Sequence, residues 1–295
     1  MSCRQIATDI HDMIVDTNVD VVMLTETWLY SHGDEAYIAA MTPAGYVFHL
    51  FPRVGSRGGG IGFVARTCLS TPLSFKPLDY RSFEAVEMRL SFDHVSVAIV
   101  CLYRPPPSKR NKLTNSMFLE EFWELLSQYA DSRSDTVYIG DFNFHYDDCS
   151  DGQVSRLRTM LSDHNLTQLV NVPTHKHGHI LDWVVVRTEN SCFCFNSVQD
   201  YPYLSDHKAV VCTPAVTKPS PRRRHVTSRK KFKAICLSDV QSDVRAWVEA
   251  ASQQCSDLDP ISLVFRFSVA LRPHKPSGLL GTGSPGRPPR LSHSS

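Results

Sequence analysis

The sequence predicts an α/β fold in which mixed β-sheets are covered by helices. Three observations lead to this prediction. Short apolar runs typical of strands recur along the chain, a few stretches have apolar residues at helical spacing, and the connections are too short for repeated strand–helix–strand units. The chain has 295 residues, of which 42% are hydrophobic and 21% charged, a composition that supports a packed core. We expect one large domain at residues 2–217.

The first elements follow from local patterns. A strand is expected at 20–24, and strands at 46–51 and 61–65 flank the three consecutive glycines at 58–60. The glycines predict a hairpin turn, because a phosphate-binding loop would also need Lys-Ser/Thr and the start of a helix. A helix that ends near Asn18 precedes these strands. It is predicted by four apolar residues at helical spacing: Ile6, Ile10, Met13 and Ile14.

The middle and second half of the domain are rich in strands. Apolar and polar residues alternate at 83–90, and the β-branched run at 95–103 stops at Arg104 and the three prolines 105–107. A buried strand at 136–139 leads into Gly-Asp-Phe-Asn. Two helices are predicted by the spacing of Phe118, Phe122, Leu125 and Tyr129 and of Val154, Leu157 and Leu161. The remaining predicted strands are 179–186, 192–198 and 209–212.

The charge is divided between two parts of the chain. Residues 1–217 contain 17 basic and 25 acidic residues, whereas residues 218–295 contain 14 basic and 5 acidic ones. The segment 218–233 has eight basic residues and no acidic one. It is either a solvated linker or nuclear-import-like patch, or an arm that binds nucleic acid. Beyond it we expect a weakly structured region at 234–272 with a helix near 237–251, then a disordered Pro/Gly/Ser-rich tail at 273–295.

Several classes of protein are excluded or disfavoured. The longest apolar run, 97–103, is far too short to cross a membrane, and the N-terminus has no secretory signal pattern. Nine cysteines without a Cys-x-x-Cys pair fit reduced thiols better than a disulfide framework. We therefore expect an intracellular protein with no membrane partner and no obligate protein partner.

Polar residues cluster where apolar strand patterns end, and core packing does not explain them. Strand ends that meet at one edge of a sheet are where sites collect in α/β proteins. Each residue alone would be an ordinary loop residue or cap, but their recurrence favours a site. They are Glu26, Tyr103, Arg104, Asp141, Asn143, Asp182, Asp206 and His207.

These residue types fit one kind of chemistry. Neighbouring carboxylates bind a hard divalent cation such as Mg²⁺, with Mn²⁺ as the alternative. A histidine beside a carboxylate transfers a proton or places positive charge next to a phosphate. No serine or cysteine lies in a nucleophile-elbow pattern, so water would be the nucleophile. The set indicates metal-assisted hydrolysis of a phosphoester.

The sequence also resembles a known family. In order, LTETWL (24–29), YRPP (103–106), GDFN (140–143), GHILDWV (178–184) and SDHKAV (205–210) resemble the motifs of the endonuclease/exonuclease/phosphatase superfamily. TETWL, YRPP and PTHKHGHILD are similar to the endonuclease domain of vertebrate LINE-type non-LTR retrotransposons. The resemblance implies a four-layered α/β sandwich of two mixed β-sheets flanked by helices, as in deoxyribonuclease I. It also implies Mg²⁺-dependent nicking of one strand of DNA, and with the basic segment it implies a nuclear location.

The resemblance assigns roles to individual residues. Glu26 would bind the metal, and Asp206 would lie near the metal or the water. Asp141 would orient or deprotonate the water, and Asn143 would hold the phosphate. The other implied roles are His207 as the group that stabilises or protonates the phosphate, Asp182 as its orienting partner, Tyr103 as a contact to the phosphate or the leaving oxygen, and Thr174 as a phosphate contact. Arg104 is a further predicted substrate contact. From their position just after YRPP, we expect Lys109, Arg110 and Lys112 to meet phosphates at the rim of the site.

Two features separate this chain from its apparent relatives. Family members begin with a strand that ends in an asparagine and precedes the first helix. Here the chain starts at Met1-Ser2-Cys3, so we expect that central strand to be absent and its neighbour to lack a partner. Family elements continue into a reverse transcriptase, and from the Pro/Gly/Ser-rich sequence at 273–295 we expect this part to be absent. The alternatives to a DNA endonuclease are therefore a phosphatase of the same superfamily acting on an inositol phosphate or similar compound, and an inactive remnant that binds nucleic acid.

Overall fold

The computed structural model of the chain covers the predicted domain almost completely. The predicted helix near 237–251, the basic segment 218–233 and the tail 273–295 lie outside the residues that the structure describes. The structure describes residues 3–55, 58–69, 73–92, 95–130, 132, 134–189, 191, 193–214 and 265–267.

Four α-helices and twelve strands are described, preceded by a 3₁₀ turn at Cys3–Ile6. The helices are α1 (Ala7–Thr17), α2 (Glu35–Met41), α3 (Asn115–Ala130) and α4 (Gly152–Asp163). The strands are β1 (Val21–Thr25), β2 (Tyr46–Phe51), β3 (Ile61–Arg66), β4 (Leu73–Leu78), β5 (Glu84–Phe92), β6 (Val95–Tyr103), β7 (Asp135–Asp141), β8 (Leu166–Gln168), β9 (Asp182–Arg187), β10 (Phe193–Gln199), β11 (Ala209–Pro214) and β12 (Phe265–Phe267).

The strands form two six-stranded mixed sheets. The first sheet has the order β10-β11-β12-β1-β3-β2, and the second has the order β4-β5-β6-β7-β9-β8. The β1–β12 and β6–β7 pairs are parallel, and the other neighbours are antiparallel. None of the described helices has both the length and the apolar character needed to span a bilayer.

The layers are set by which face of each element is apolar. Ile10 and Ile14 of α1 pack with Val22 of β1, whereas Met23 of β1 points to the other face of the sheet. This alternation along β1 is the pleat of a strand that is covered on both sides. Between the sheets, the ring centroids of Phe63 and Phe75 lie 5.0 Å apart.

On the outer face of the second sheet, Phe118 and Phe122 of α3 pack against Phe142. The order of layers is therefore helices, sheet, sheet, helices. This confirms the predicted four-layered sandwich of two mixed sheets.

Most predicted elements are present, with some differences at their ends. The first helix ends at Thr17, and Asn18 caps it in a left-handed conformation by donating its backbone N–H to the Ile14 carbonyl at 3.0 Å. The strand predicted from 179 begins only at Asp182, because the backbone N–H of Ile180 turns away to bond the Asp147 carboxylate at 2.8 Å. Four short elements were not predicted: α2, β4, β8 and β12.

The structure corrects the expectation that β1 would lack a neighbouring strand on one side. β1 does not lack a partner on that side, because β12, three residues near the C-terminus, pairs with it in parallel. β12 lies within 234–272, the region expected to be weakly structured.

Candidate active site

The sheets bring the strand-end residues to one edge of the sandwich. In the second sheet, β6 and β7 are parallel and Tyr103 is the register partner of Asp141. On the next strand, the antiparallel β9 places Asp182 opposite Asp141. These three residues therefore form a row across three neighbouring strands. In the first sheet, Glu26 follows β1 and His207 precedes β11.

His207 and Asp182 form a buried ion pair. Nδ1 of His207 lies 2.8 Å from Oδ2 of Asp182, and both side chains are almost fully buried. Burial disfavours the imidazolium, but the carboxylates of Asp182, Asp141 and Asp206 outweigh it and raise the pKa of His207 to about 9. At neutral pH the ring is therefore a cation. Its Nε2 is buried and has no hydrogen-bond partner among the described residues, so it has an N–H to offer a bound anion.

Asp141 and Asn143 form a compact unit at the end of β7. The backbone N–H and the side-chain amide of Asn143 donate to the two carboxylate oxygens of Asp141, at 2.9 and 2.8 Å. The same amide also donates to the Arg104 carbonyl at 2.8 Å. Asn143 adopts a left-handed backbone with φ 50°, a conformation in which asparagine is enriched. The turn thereby presents the amide beside a fully buried carboxylate.

Glu26 lies just beyond β1 and is bound by Tyr103. The Tyr103 hydroxyl donates to a Glu26 carboxylate oxygen. Burial and then the Glu26 charge raise the pKa of Tyr103 far above its usual value, so Tyr103 remains a neutral donor. The Arg53 guanidinium lies 5.6 Å from the centroid of the Tyr103 ring, and it pairs with Glu84. Burial raises the pKa of Glu84 despite that pairing.

Asp206 precedes His207 in the chain and lies close to it in the site. Its Oδ2 lies 3.3 Å from Nζ of Lys176 and 3.5 Å from Nε2 of His175. Burial raises the pKa of Asp206, but His207 and Lys176 outweigh burial and lower it below the usual value. Its Oδ1 is buried with no hydrogen-bond partner in the described part of the chain.

Two predicted substrate contacts are instead parts of the scaffold. Arg104 is 2% exposed, and its guanidinium donates to the Phe142 and Asn143 carbonyls at 3.2 and 3.0 Å. Thr174 is fully buried, and its hydroxyl oxygen accepts the backbone N–H groups of Leu181 and Asp182, both at 3.0 Å. A guanidinium whose donors are directed to loop carbonyls supports the turn that carries Asn143 rather than meeting a substrate. Likewise, Thr174 fixes the start of β9.

The predicted rim cations lie at the surface. Lys109, Arg110 and Lys112 are exposed in the loop that connects β6 with α3. This loop starts directly after Tyr103 and Arg104, so it begins at the edge of the sheet where the site residues lie.

Two groups of described side chains have ligand atoms close enough to share a metal ion. Asp141, Asp182 and His207 form one group, and His175, Asp206 and His207 form the other, with ligand atoms within 4.8 Å of one another in each group. Glu26 belongs to neither group. Oxygen donors from several carboxylates fit a hard divalent cation, whereas an imidazolium does not ligate a metal.

Comparison with known protein families identifies the family of the chain. Residues 6–207 match the family model described as the endonuclease/exonuclease/phosphatase family. The chain belongs to the endonuclease/exonuclease/phosphatase family. Membership is consistent with the row of buried polar residues at the sheet edge. No curated protein sequence matches the chain significantly.

Three solved structures share the fold of this chain. The endonuclease domain of TRAS1, a telomere-specific non-LTR retrotransposon, is 14% identical with a TM-score of 0.50, over 68% of this chain and 88% of that one. An AP endonuclease from Leishmania major is 16% identical with a TM-score of 0.54, over 70% and 83%. An AP endonuclease from Archaeoglobus fulgidus is 16% identical with a TM-score of 0.53, over 73% and 96%. At these identities the likeness shows the fold, an endonuclease/exonuclease/phosphatase-type α/β sandwich.

Sequence reasoning missed two neighbours of the site in this family member. His175 forms an isolated bridge with His207, and their ring centroids lie 4.8 Å apart. Burial and the His207 charge lower the pKa of His175 to about 4, so this ring is neutral at physiological pH. The second missed neighbour of the site is the Arg53–Glu84 ion pair. The histidine-rich stretch Thr-His-Lys-His at 174–177 was a visible signal for His175. Glu84 gave no such signal, because it looks like any polar residue of an alternating strand.

Proposed function

We propose that this protein is a divalent-metal-dependent phosphodiesterase that nicks one strand of DNA, of the kind found in LINE-type retrotransposons. The observation that carries the proposal is His207. It is a buried cation whose Nε2 faces no protein acceptor among the described residues, next to the Asp141–Asn143 unit. A phosphate oxygen supplies the acceptor that this N–H lacks.

The surrounding side chains supply the remaining roles. Asp141 accepts a proton from, or orients, the water whose oxygen forms the new bond to phosphorus. Asn143 orients the Asp141 carboxylate through its amide, and His207 neutralises the charge that builds up on the phosphate as the bond to the leaving oxygen breaks. Asp182 keeps the His207 ring oriented. Tyr103 remains protonated and donates to an oxygen of the phosphate or to the leaving oxygen once Glu26 is engaged elsewhere.

A divalent cation fits this set of donors. Glu26 and Asp206 would hold Mg²⁺ or Mn²⁺, since each is an acidic group at the site edge and Asp206 has a buried oxygen without a hydrogen-bond partner among the described residues. When bound, the cation supplies charge neutralisation to the phosphate.

Several observations support DNA as the substrate. The names of three similar folds are those of enzymes that process DNA: a retrotransposon endonuclease domain and two AP endonucleases. In this chain, Lys109, Arg110 and Lys112 are exposed beside the site edge. The basic segment 218–233 adds charge for the phosphate backbone, and it also supports a nuclear location.

One observation favours the alternative of a small phosphoester substrate. Residues 1–217 have 17 basic and 25 acidic residues, and this excess of acidic groups weakens non-specific attraction to DNA. A phosphatase would need the same Asp141, Asn143 and His207, so the site alone does not separate the two substrates. A direct assay of both activities does.

The test is nicking of supercoiled plasmid by the purified chain with Mg²⁺, with EDTA as the metal-removal control. Asp141→Asn keeps the size of the side chain and removes its charge, so the nicking rate should fall about 10²–10⁴-fold. Asp163→Asn, at an exposed site on the end of α4, is the matched control and should nick like the native chain. The melting temperature of each variant reports its fold.

Two results would contradict the proposal. Nicking that persists in Asp141→Asn or in EDTA would refute the assigned site. Release of inorganic phosphate from an inositol phosphate, without nicking of plasmid by the same preparation, would assign the chain to the phosphatase alternative.

A further inference from the structure

β12 connects two parts of the first sheet that do not otherwise meet. In parallel with β1, Phe265, Arg266 and Phe267 are the register partners of Val21, Val22 and Met23. In antiparallel with β11, the same three residues are partners of Cys212, Val211 and Val210. Among the described strands, β1 and β11 do not pair with each other. Without β12 the sheet would separate into a three-stranded part and a two-stranded part.

The facing edges of β1 and β11 are buried and need a strand between them. All five residues of β1 are buried, and so are Val210, Val211 and Cys212 of β11. Backbone N–H and C=O groups on a buried strand edge need partners, because water does not reach them. A group left unpaired there loses its hydrogen bond without gaining one to water. The gap between β1 and β11 is therefore a slot that accepts one extended segment, parallel to β1.

The slot lies directly beneath the candidate active site. Met23 is three residues before Glu26, and Val210 is three residues after His207. Phe267, at the carboxyl end of β12, is the partner of both Met23 and Val210. One intervening strand separates its two neighbours by about 9–10 Å. The presence of β12 thus sets the distance between the strand that carries Glu26 and the strand that follows His207.

We propose that the slot between β1 and β11 is a strand-accepting surface filled by residues 265–267 of the same chain, and that this filling holds the two sides of the site in register. The fifty residues 215–264 lie between β11 and β12. Because β11 and β12 belong to one chain, filling of the slot is intramolecular and independent of protein concentration. The consequence for nicking rests on the proposed function, whereas the pairing itself does not.

The register is tested in the full chain by a new thiol. Phe265→Cys places a thiol at the register partner of Cys212, and opposed residues of an antiparallel pair have the Cα separation that a disulfide requires. Mild oxidation followed by peptide mapping should show a link to Cys212. Arg266→Cys, whose partner is Val211, is the matched control and should not link to Cys212. A mixture of isotope-labelled and unlabelled Phe265→Cys chains should give no mixed links.

Equal linking by both variants would overturn the register. Mixed links between labelled and unlabelled chains would overturn filling by the same chain, since they would show that a second copy donates the strand.

The functional consequence is tested by proline. Arg266→Pro removes a backbone N–H from β12, whereas Arg266→Ala keeps it. In Arg266→Pro, the backbone amides of Val21–Thr25 and 209–213 should exchange with deuterium at least tenfold faster, and nicking should fall at least tenfold. Arg266→Ala should match the native chain in both measurements. A synthetic peptide of residues 258–272 added to Arg266→Pro should slow the exchange again, whereas a peptide with the same proline should not.

The two measurements separate the failure of this proposal from the failure of the proposed function. Native exchange rates in Arg266→Pro would refute the filled slot. Faster exchange together with a native chain that does not nick plasmid would leave the slot standing and refute the nuclease. Faster exchange with undiminished nicking would show that the strand is dispensable for holding the site.

Discussion

At the scale of single residues, His207 has the unusual environment of a cation in the protein interior. Moving a charge out of water is expensive unless it is paired. His207 is bonded to Asp182 at 2.8 Å, and Asp141 and Asp206 add to the negative field. The ion pair is therefore stable in the folded chain and ready to receive a second anion on Nε2.

This environment predicts a pH dependence of stability. Because the folded chain holds the pKa of His207 at about 9, above the ordinary value of 6.5, the protonated ring stabilises the fold. That contribution is complete below pH 6.5 and is lost as the pH rises through 9. A shift of this size corresponds to roughly 3 kcal/mol.

The measurement is urea unfolding in EDTA at about pH 6 and about pH 9.5, on either side of this range. The native chain should lose about 3 kcal/mol more between these pH values than His207→Gln, which has no proton to release. The comparison removes the contribution of other groups that titrate in the same range. Parallel stability curves for the two proteins would contradict a charged His207.

Residue types at strand ends were predictable from the sequence, but the direction of each side chain was not. Asp141, Asp182 and His207 come together as their positions suggested. Arg104 occupies the same kind of position, yet its guanidinium lies 3.8 Å from the centroid of the Phe144 ring and bonds to the turn. A charged residue after a strand is compatible with either outcome. The choice depends on packing partners that are distant in sequence, and only the three-dimensional structure shows it.

At the scale of elements, the turn after β7 depends on close approach of two strands. Gly140 has φ 137°, and a Cβ atom added there would lie 1.9 Å from the Leu102 carbonyl oxygen. Leu102 is its parallel register partner on β6. No side chain can occupy that space without moving the backbone, so Gly140 sets the position of the next residue, Asp141.

Gly140→Ala should therefore separate β6 from β7 and destabilise the fold by at least about 3 kcal/mol. Gly152→Ala is the matched control. It lies at the start of α4, where an added Cβ meets nothing within 4 Å, and alanine favours helices there. Thermal unfolding of the two variants should give a strongly lowered melting temperature for the first and an equal or higher one for the second. Similar melting temperatures would refute the close approach.

Elements with a strong local pattern were predictable, and elements defined by distant partners were not. The β-branched run of β6 and the apolar spacing of α3 are strong enough to be recognised alone. β8 has three residues and exists because it pairs with β9. β12 also has three residues; its partner Val21 lies 244 residues before Phe265, and its partner Cys212 lies 53 residues before Phe265. No window of sequence contains such information.

At the scale of the whole molecule, the chain joins an acidic domain to basic C-terminal sequence. Residues 1–217 have 8 more acidic than basic residues, and residues 218–295 have 9 more basic than acidic ones. A nuclease needs affinity for the phosphate backbone, and that affinity comes from cations that release counterions. In this chain the segment 218–233, between β11 and β12 along the sequence, has eight basic residues and no acidic one.

The basic segment should therefore govern the salt dependence of DNA binding. Replacing 218–233 with a Gly/Ser linker of equal length removes eight positive charges and keeps the tether to β12 unchanged. The slope of log affinity against log salt should become shallower by roughly 0.9 for each phosphate that the protein no longer neutralises. At saturating DNA the nicking rate should stay near the native value, because the segment contributes binding rather than chemistry.

The measurement is a fluorescence binding titration across salt concentrations, with Lys109→Ala/Arg110→Ala as the comparison. If the slope changes only in that double variant, the loop beside the site, and not the segment, binds the phosphates.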